Sequence, residues 1–493
     1  MARRVCIIGA GISGLRCAAV LLENLFDVTI IEARDRIGGR IAQSDQMGNL
    51  EVDVGANWVH KSDENPIVAL AKETGTPLHQ WVENTLLVDS AGNLVNEDHA
   101  NEALQRVWHI FEEALKFSTS NLGDVDSSTS LYDFFTDECN KMVDRGNWSD
   151  YERSLVLGMA EMWGAYVGDR VERQSLKFFF LEDCIESGKS PKSLCPWSLL
   201  RSPDDYFIPG NYKKIMAKIA ELPLARAKLR LGTVMTSVEV SSNEQGRVCV
   251  KTSKGTAEFF DDVVVTTPLG WLKRNKEAIH PLSPRISEAI ESISYGRLEK
   301  VIIEFPSAFW EPPQTSTSEN LENSISFAHW LSPSYAPTTN PKNWRLECVS
   351  FNAFKAPYRR NILLFYTFGD CSTHITTLIH GLEGVARTQV LQEFFEPYYS
   401  RLPNFDPQTC TPLRFLATEW SRDEFAGYGS YCNFQVGMKD AARDVEAIRH
   451  GMPEQHIYFA GEHTASFDGL GTVSGAYNSG ERVAYRIMES AWV

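Results

Sequence analysis

The sequence predicts an α/β fold in which a parallel, dinucleotide-binding sheet is interleaved with a second, α+β unit. Three observations carry that expectation. The first forty residues run strand, glycine turn, helix, strand and acidic residue, the order a βαβ nucleotide unit requires. At 493 residues the chain has room for two or three domains, or two interleaved ones. Helical and strand patterns then alternate along the remaining chain.

Residues 3–8 are a short apolar run that reads as a buried strand, followed by Gly9-Ala10-Gly11-Ile12-Ser13-Gly14, a G-x-G-x-x-G turn. Leu15, Ala18, Ala19 and Leu22 repeat at helical spacing over 12–26. Asp27 to Ile31 is a second buried strand, and it ends on Glu32. In such a unit Gly9 makes the tight turn, Gly11 lets the backbone approach a pyrophosphate, and Gly14 lets the helix pack on the sheet. The helix N-terminus offers the phosphate free N–H groups and its positive dipole end. Glu32 can accept both ribose hydroxyls of an adenosine. The turn alone is weak evidence, since a structural βαβ unit that binds nothing can also carry it; here the strands, the helix and Glu32 agree.

Farther on, Leu104, Val107, Trp108, Phe111 and Leu115 make one apolar helix face. Residues 118–130 read as a loop, 131–142 and 151–166 as helices, and 186–206 as another loop. A helix is expected over 211–220, then strands at 228–240, 246–252, 256–266 and 300–305. Residues 312–343, rich in Pro, Ser, Thr and Asn, read as a surface insertion. Val473 to Met488 has helical spacing after a glycine-rich stretch.

Hydrophobic residues at 43% and charged residues at 23% are ordinary for a soluble globular chain. The net charge of −16 disfavours nucleic acid and anionic membranes and favours small cationic partners. Ten scattered cysteines, with no C-x-x-C pair and no zinc-site spacing, read as reduced and mostly buried thiols. The N-terminal stretch reaches glycine too early for a signal peptide, no run is long and apolar enough to span a membrane, and the last residues match no retention ending. The cytoplasm is the expected compartment. No metal site is expected, and the sequence leaves the oligomeric state open.

After Glu32 come Ala33-Arg34-Asp35-Arg36-Ile37-Gly38-Gly39-Arg40, a second glycine pair and a fixed positive charge suited to a longer, buried cofactor. This stretch, with Asp53-Val54-Gly55-Ala56-Asn57-Trp58, resembles the N-terminal signature of the flavin-containing amine oxidase family. That family holds polyamine, spermine and monoamine oxidases, L-amino-acid oxidases and lysine-specific histone demethylases. The resemblance continues through Thr233-Val234, the stretch from Asp262 to Gly270, Trp420 with Gly429-Ser430-Tyr431, Tyr458 to Thr464, and Gly475 to Gly480. These blocks run in order from residue 5 to 484; residues 80–205 and 310–415 carry little of the signal.

The resemblance implies a Rossmann-type FAD domain built from 1–80, 208–290 and 415–493. A substrate domain would come from 81–207, mainly helical, and 291–414, mainly sheet. It assigns FAD contacts to Gly9, Gly11, Gly14, Glu32, Ala33, Arg34, Gly39, Arg40, Gly55, Ala56, Asn57 and Trp58. The Val234 backbone would meet the adenine, and Trp420, Gly461, Glu462, Thr472 and Val473 would complete the set. By position alone Lys300 reads as a strand lysine with its amine in solvent, but it falls where the family places the lysine that holds a water against flavin N5. Tyr431 fits the first of two aromatic positions before the flavin, and Thr472 falls at the second, as in spermine oxidases and histone demethylases. Ser430 stands where monoamine oxidases carry the cysteine bonded to flavin, so the FAD is expected to be non-covalent, with Cys432 the nearest candidate for a bond.

His60 matches a substrate-entrance position, and Asp169, Glu182, Asp183, Asp204 and Asp205 are acidic candidates for distal ammonium groups. The implied reaction is oxidation of an amine C–N bond by hydride transfer to flavin, with oxygen as acceptor. Polyamines lead as substrates. The alternatives are oxidation of another amine, such as a secondary-metabolite amine or an L-amino acid, or a flavin-binding interaction protein without activity.

Overall fold

The structure is a computed structural model that describes residues 2–60, 65–81, 84–181, 205–241, 247–312 and 324–491. Five parallel strands form its first sheet, in the order Ile457–Phe459, Asp262–Val265, Arg4–Ile8, Asp27–Ile31, Lys228–Arg230. Its inner strands are covered on both faces, which is why they read as unbroken apolar runs. Val5 and Ile7 enter a core with helices Ile12–Glu23, Lys213–Arg226 and Val473–Ala491. Cys6 and Ile8 enter another, with helices Pro284–Ser292 and Ala441–His450 and a four-stranded sheet.

That second sheet corrects the expected strands. Residues 228–240 are split: Lys228–Arg230 stays in the parallel sheet, and after Gly232, at φ +56°, Met235–Val240 joins the four-stranded one. Residues 256–266 divide in the same way at Asp261, between Ala257–Phe260 and Asp262–Val265.

The third large sheet has six strands, in the order Arg414–Ala417, Leu298–Glu304, Ile362–Phe368, Leu346–Ser350, Phe327–Trp330, Thr85–Val88. All pairs are antiparallel except the last. Two expectations change here. Phe327–Trp330 lies inside the stretch read as a surface insertion, yet all four residues are buried; being held between two strands hides it, whatever the polarity of its flanks. Thr85–Val88 brings a strand from the segment expected to be helical.

One face of this sheet, with Val301, Ile303, Leu363 and Phe365, packs on helices Gly369–Ile379 and Gly384–Tyr399. The other, with Ile302, Leu364, Tyr366 and Val349, packs on Phe207, Phe351 and Phe354. Helices Glu97–Ser120, Leu131–Asp144 and Asp150–Ala160 form a separate core around Phe111 and Phe135. Ser130 with Asp133 and Ser149 with Glu152 close capping boxes at the last two.

Among the described residues, eight cysteines are free and buried. No helix there is long and apolar enough to cross a membrane, and no cluster of metal-ligating side chains forms.

Candidate active site

A single cavity runs from the glycine turn to the six-stranded sheet. At one end, Gly9 sits at φ +111°, where a side chain would strike Thr266 Oγ1 at 2.5 Å. Gly11 caps the helix Ile12–Glu23 with no side-chain bond, and a Cβ built on it meets nothing within 4 Å. The space beside Gly11 at the N-terminus of that helix is therefore open, the condition for a phosphate to approach. Gly14 does not line the cavity: its Cβ would lie 2.1 Å from the Gly9 carbonyl, so its smallness serves helix packing. Glu32 accepts from the Ala10 N–H at 2.7 Å and the Arg34 N–H at 2.8 Å, which fixes its carboxylate beside the turn. Ala33 and Arg34 follow it along the wall, and Arg34 pairs with both oxygens of Asp423.

The second glycine pair is stitched to the first turn: the Gly38 N–H donates to the Ala10 carbonyl at 2.9 Å. Gly38 and Gly39 both hold positive φ, +98° and +59°. Arg40, next in line, donates to Tyr295 Oη at 3.0 Å, the Ser430 carbonyl at 2.5 Å and Glu462 Oε1 at 2.9 Å. Burial works against that guanidinium's charge, but Tyr295 and Glu462 outweigh it. Burial likewise raises Glu462, and Arg40 pulls it below its ordinary value. Two charges thus stay fixed on the wall, with Gly461 and Gly55 to Trp58 close by. Thr267 Oγ1 and Ser430 Oγ are buried on the same wall without a protein partner, as hydroxyls that await a bound group would be.

Lys300 lies on Leu298–Glu304 and is 5% exposed. Its Nζ donates to the Asp53 carbonyl at 3.3 Å, the Gly55 carbonyl and Asn57 Oδ1. Burial pushes the amine well below its ordinary value against the opposing charge of Asp53, whose own carboxyl burial raises. Trp420 is pinned beside it: its indole donates to the Val54 carbonyl at 2.9 Å and its N–H to the buried Glu299 at 2.9 Å.

Two expected wall residues are also tied to the protein, and one expected acidic residue lies elsewhere. Val234 lines the cavity, but its N–H donates to Ser253 Oγ and its carbonyl accepts from the Ser253 N–H. Its carbonyl keeps a second lone pair, and Met235 is the next wall residue. The Thr472 hydroxyl donates to the Gly469 carbonyl at 2.8 Å and accepts from the Gly475 N–H at 3.0 Å. It caps the helix that begins at Val473 and also lines the cavity. Asp169 is buried away from the cavity, where it accepts from Gln435 and pairs with Arg173.

Glu182, Asp183 and Asp204 lie outside the described residues. Asp205 does reach the cavity, with His60 Nδ1 3.2 Å from its Oδ2. Burial lowers His60, and Asp205 more than reverses this. Tyr431 lines the wall and donates its hydroxyl to the Tyr166 carbonyl.

The structure also adds residues that sequence reasoning missed. Trp163 and Tyr166, stacked with centroids 5.4 Å apart, form an aromatic wall; their spacing of three on a helical pattern was the available signal. Glu347 and Tyr366 line the cavity from the sheet that holds Lys300, and nothing local marked them.

A profile of the family described as flavin containing amine oxidoreductase matches residues 12–488, and the chain belongs to that family. "Lysine-specific histone demethylase 1 homolog 1" of Arabidopsis thaliana is 26% identical, over 99% of this chain and 52% of its own length. "Probable polyamine oxidase 4" of the same plant is 26% identical, over 97% of this chain and 85% of its own length. The chain therefore spans about half the length of the demethylase relative. A solved structure of a putrescine oxidase double mutant, redesigned in cofactor binding, matches with a TM-score of 0.71 at 18% identity, over 99% of both chains. That likeness shows the fold. FAD is the family's cofactor, and the open approach at Gly11, the two unpartnered hydroxyls and the fixed Arg40 fit it.

Proposed function

We propose that this flavin-containing amine oxidoreductase is a polyamine oxidase that binds FAD non-covalently and uses oxygen as its electron acceptor. The observation that supports it best is the single cavity joining the dinucleotide turn to buried Lys300, with aromatic rings and carboxylates beyond. When bound, FAD would supply the electron sink for a hydride leaving the carbon beside an uncharged nitrogen, with oxygen as the final acceptor and hydrogen peroxide and an imine, hydrolysed to an aldehyde and an amine, as the products.

The chain's share is orientation, exclusion of water and control of charge. Gly9, Gly11 and the helix N-terminus take the pyrophosphate, Glu32 the ribose, and Arg40 with Glu462 holds the wall behind the flavin. Lys300, whose amine burial makes easier to deprotonate, orients a water beside the reacting carbon. Trp163, Tyr166, Tyr366 and Tyr431 surround the amine with rings, which favours its deprotonated form. His60 and Asp205 hold a distal nitrogen at another part of the wall. Ser430 in place of a cysteine supports a non-covalent flavin. In the proposed division, 1–80, 208–290 and 415–493 carry the FAD and the intervening segments the substrate. The cytoplasm is the proposed compartment, in keeping with the buried free thiols.

The test is the visible spectrum of purified protein before and after anaerobic mixing with spermine. Rapid bleaching of a flavin band is expected. A band that persists, while other amines bleach it, would move the substrate away from polyamines.

A further inference from the structure

Arg40 gives one nitrogen to the protein and keeps two. Its Nη1 donates to Tyr295 Oη at 3.0 Å, the Ser430 carbonyl at 2.5 Å and Glu462 Oε1 at 2.9 Å. That nitrogen carries two hydrogens, so three acceptors crowd it and leave the guanidinium little freedom to turn. Nε and Nη2 make no hydrogen bond to any described residue, while the side chain lines the cavity and is 26% exposed. Arg40 is also anchored beside the first glycine turn. Gly38 bridges Gly11, and a Cβ on Gly39 would lie 3.5 Å from Gly11 Cα. The charge of the next residue, Arg40, is therefore built onto the side of the opening that a phosphate can approach.

Tyr295 stands behind this wall and does not line the cavity. It lies on the short strand Ser294–Tyr295, paired with Cys432–Asn433, in the segment that leads to Lys300. Its hydroxyl donates to the Ala426 carbonyl at 2.7 Å, so Oη is left to accept from Arg40. Burial raises the phenol well above its ordinary value, against the pull of Arg40, and the ring stays neutral. Two glycines make room for it: a Cβ on Gly270 or on Gly429 would come within 2.7 Å of its Cδ1. A buried tyrosine needs one partner for its hydroxyl, and Ala426 already supplies that. The second bond goes to a guanidinium whose other donors are free. Of the three acceptors at Nη1, Ser430 offers backbone and Glu462 a charge; Tyr295 alone offers a neutral side-chain oxygen held by a rigid ring.

We propose that Tyr295 is a positioning residue for the cofactor, its hydroxyl fixing the rotation of Arg40 so that Nε and Nη2 present a ready fork to the pyrophosphate of FAD. The proposal rests on FAD as the cofactor and not on the polyamine reading. The negative charge of FAD lies on its two phosphates, and a guanidinium fork matches phosphate oxygens in pairs. A fork already turned toward the ligand loses less side-chain freedom when it binds. Without the hydroxyl, Arg40 keeps its charge and its other two partners but swings about them, and part of the binding free energy goes to stopping it.

The experiment compares wild type and Tyr295→Phe, each stripped of FAD by mild chaotrope. The substitution removes one oxygen and leaves the ring and every charge in place. The thermal midpoint of the stripped protein should stay within about two degrees of wild type, while FAD affinity falls about tenfold in a fluorescence titration. Calorimetry with ADP, which carries a pyrophosphate, should show the same factor; riboflavin, which carries none, should stay within about twofold. In an Arg40→Met background, adding Tyr295→Phe should change FAD affinity by less than about twofold, because the group it orients is gone. Arg40→Lys carries the test if Tyr295→Phe does not fold: it keeps the charge but has no fork, and it should bind FAD about as weakly as Arg40→Met. Unchanged affinity for FAD in Tyr295→Phe, an equal loss for riboflavin, or a tenfold loss that persists without Arg40 would overturn the role of Tyr295. So would wild-type affinity in Arg40→Lys.

Discussion

Lys300 and His463 show how burial decides what a titratable side chain can do. Burial brings the Lys300 amine well below its ordinary value. A step that uses the neutral amine therefore levels at a lower pH than an ordinary lysine would allow, while the substrate amine titrates separately, near about 10 in water. In Lys300→Met the flavin should still bind, because the glycine turns and Glu32 lie at the other end of the cavity. Anaerobic reduction or reoxidation by oxygen should slow by about 10²-fold or more and lose the limb that belongs to the lysine, as read by rapid mixing. Kinetics equal to wild type would remove Lys300 from the chemistry. His463 is 1% exposed, and burial pushes its imidazole down to about 4. Below its ordinary value of 6.5 the unfolded chain takes up a proton that the folded chain refuses until about pH 4. Stability from this group is thus complete above 6.5 and lost as pH falls toward 4. Between pH 7 and 5 the loss is about 2 kcal/mol. Denaturant titrations should show His463→Gln losing less stability than wild type over that interval by this amount.

Among elements, the first glycine turn separates binding from folding within four residues. Gly11 has φ −74° and ψ 178°, which any residue adopts, and its Cβ enters open cavity. Gly11→Ala should keep the fold and its thermal midpoint without flavin, yet weaken FAD by about 100-fold, or ~3 kcal/mol, in a fluorescence titration. Gly14→Ala brings a Cβ within 2.1 Å of the Gly9 carbonyl, where neither backbone can yield. That variant should lose soluble protein, and one that folds normally but binds no FAD would reverse the assignment. This unit was legible in sequence because its signals are local: an apolar run, a turn and a helix, each within a dozen residues. Phe327–Trp330 was not. Its four residues sit in a polar stretch, and only pairing with Leu346–Ser350 and Thr85–Val88 buries them. The split of 228–240 was hidden for a related reason, since two strands of different sheets share one apolar pattern across Gly232.

For the whole molecule, the cavity walls come from stretches hundreds of residues apart: the first sixty residues, Trp163 and Tyr166, Val234, Lys300, Glu347 and Tyr366, and Trp420 to Ala476. Motif residues such as Glu32, Arg40 and Lys300 could be named in advance because each sits in a recognisable local string. Glu347 and Tyr366 could not, because cross-strand register is set by sheet order, which no short window contains. A site assembled this way exists only in the folded chain, so whatever fills it stabilises the whole fold. A non-covalent cofactor at about 100 times its Kd contributes ~2.7 kcal/mol, and the contribution grows with its free concentration. After acid precipitation the flavin should appear in the supernatant. Native protein stripped of FAD by mild chaotrope should melt several degrees lower than holoenzyme and climb back with added FAD, still rising at concentrations above stoichiometric. A flavin bonded to Cys432 would behave otherwise: the yellow colour would stay with the precipitate, and the melting midpoint would not respond to free FAD. The two outcomes separate a fold that merely encloses its cofactor from one that is chemically joined to it, and the serine at 430 favours the first.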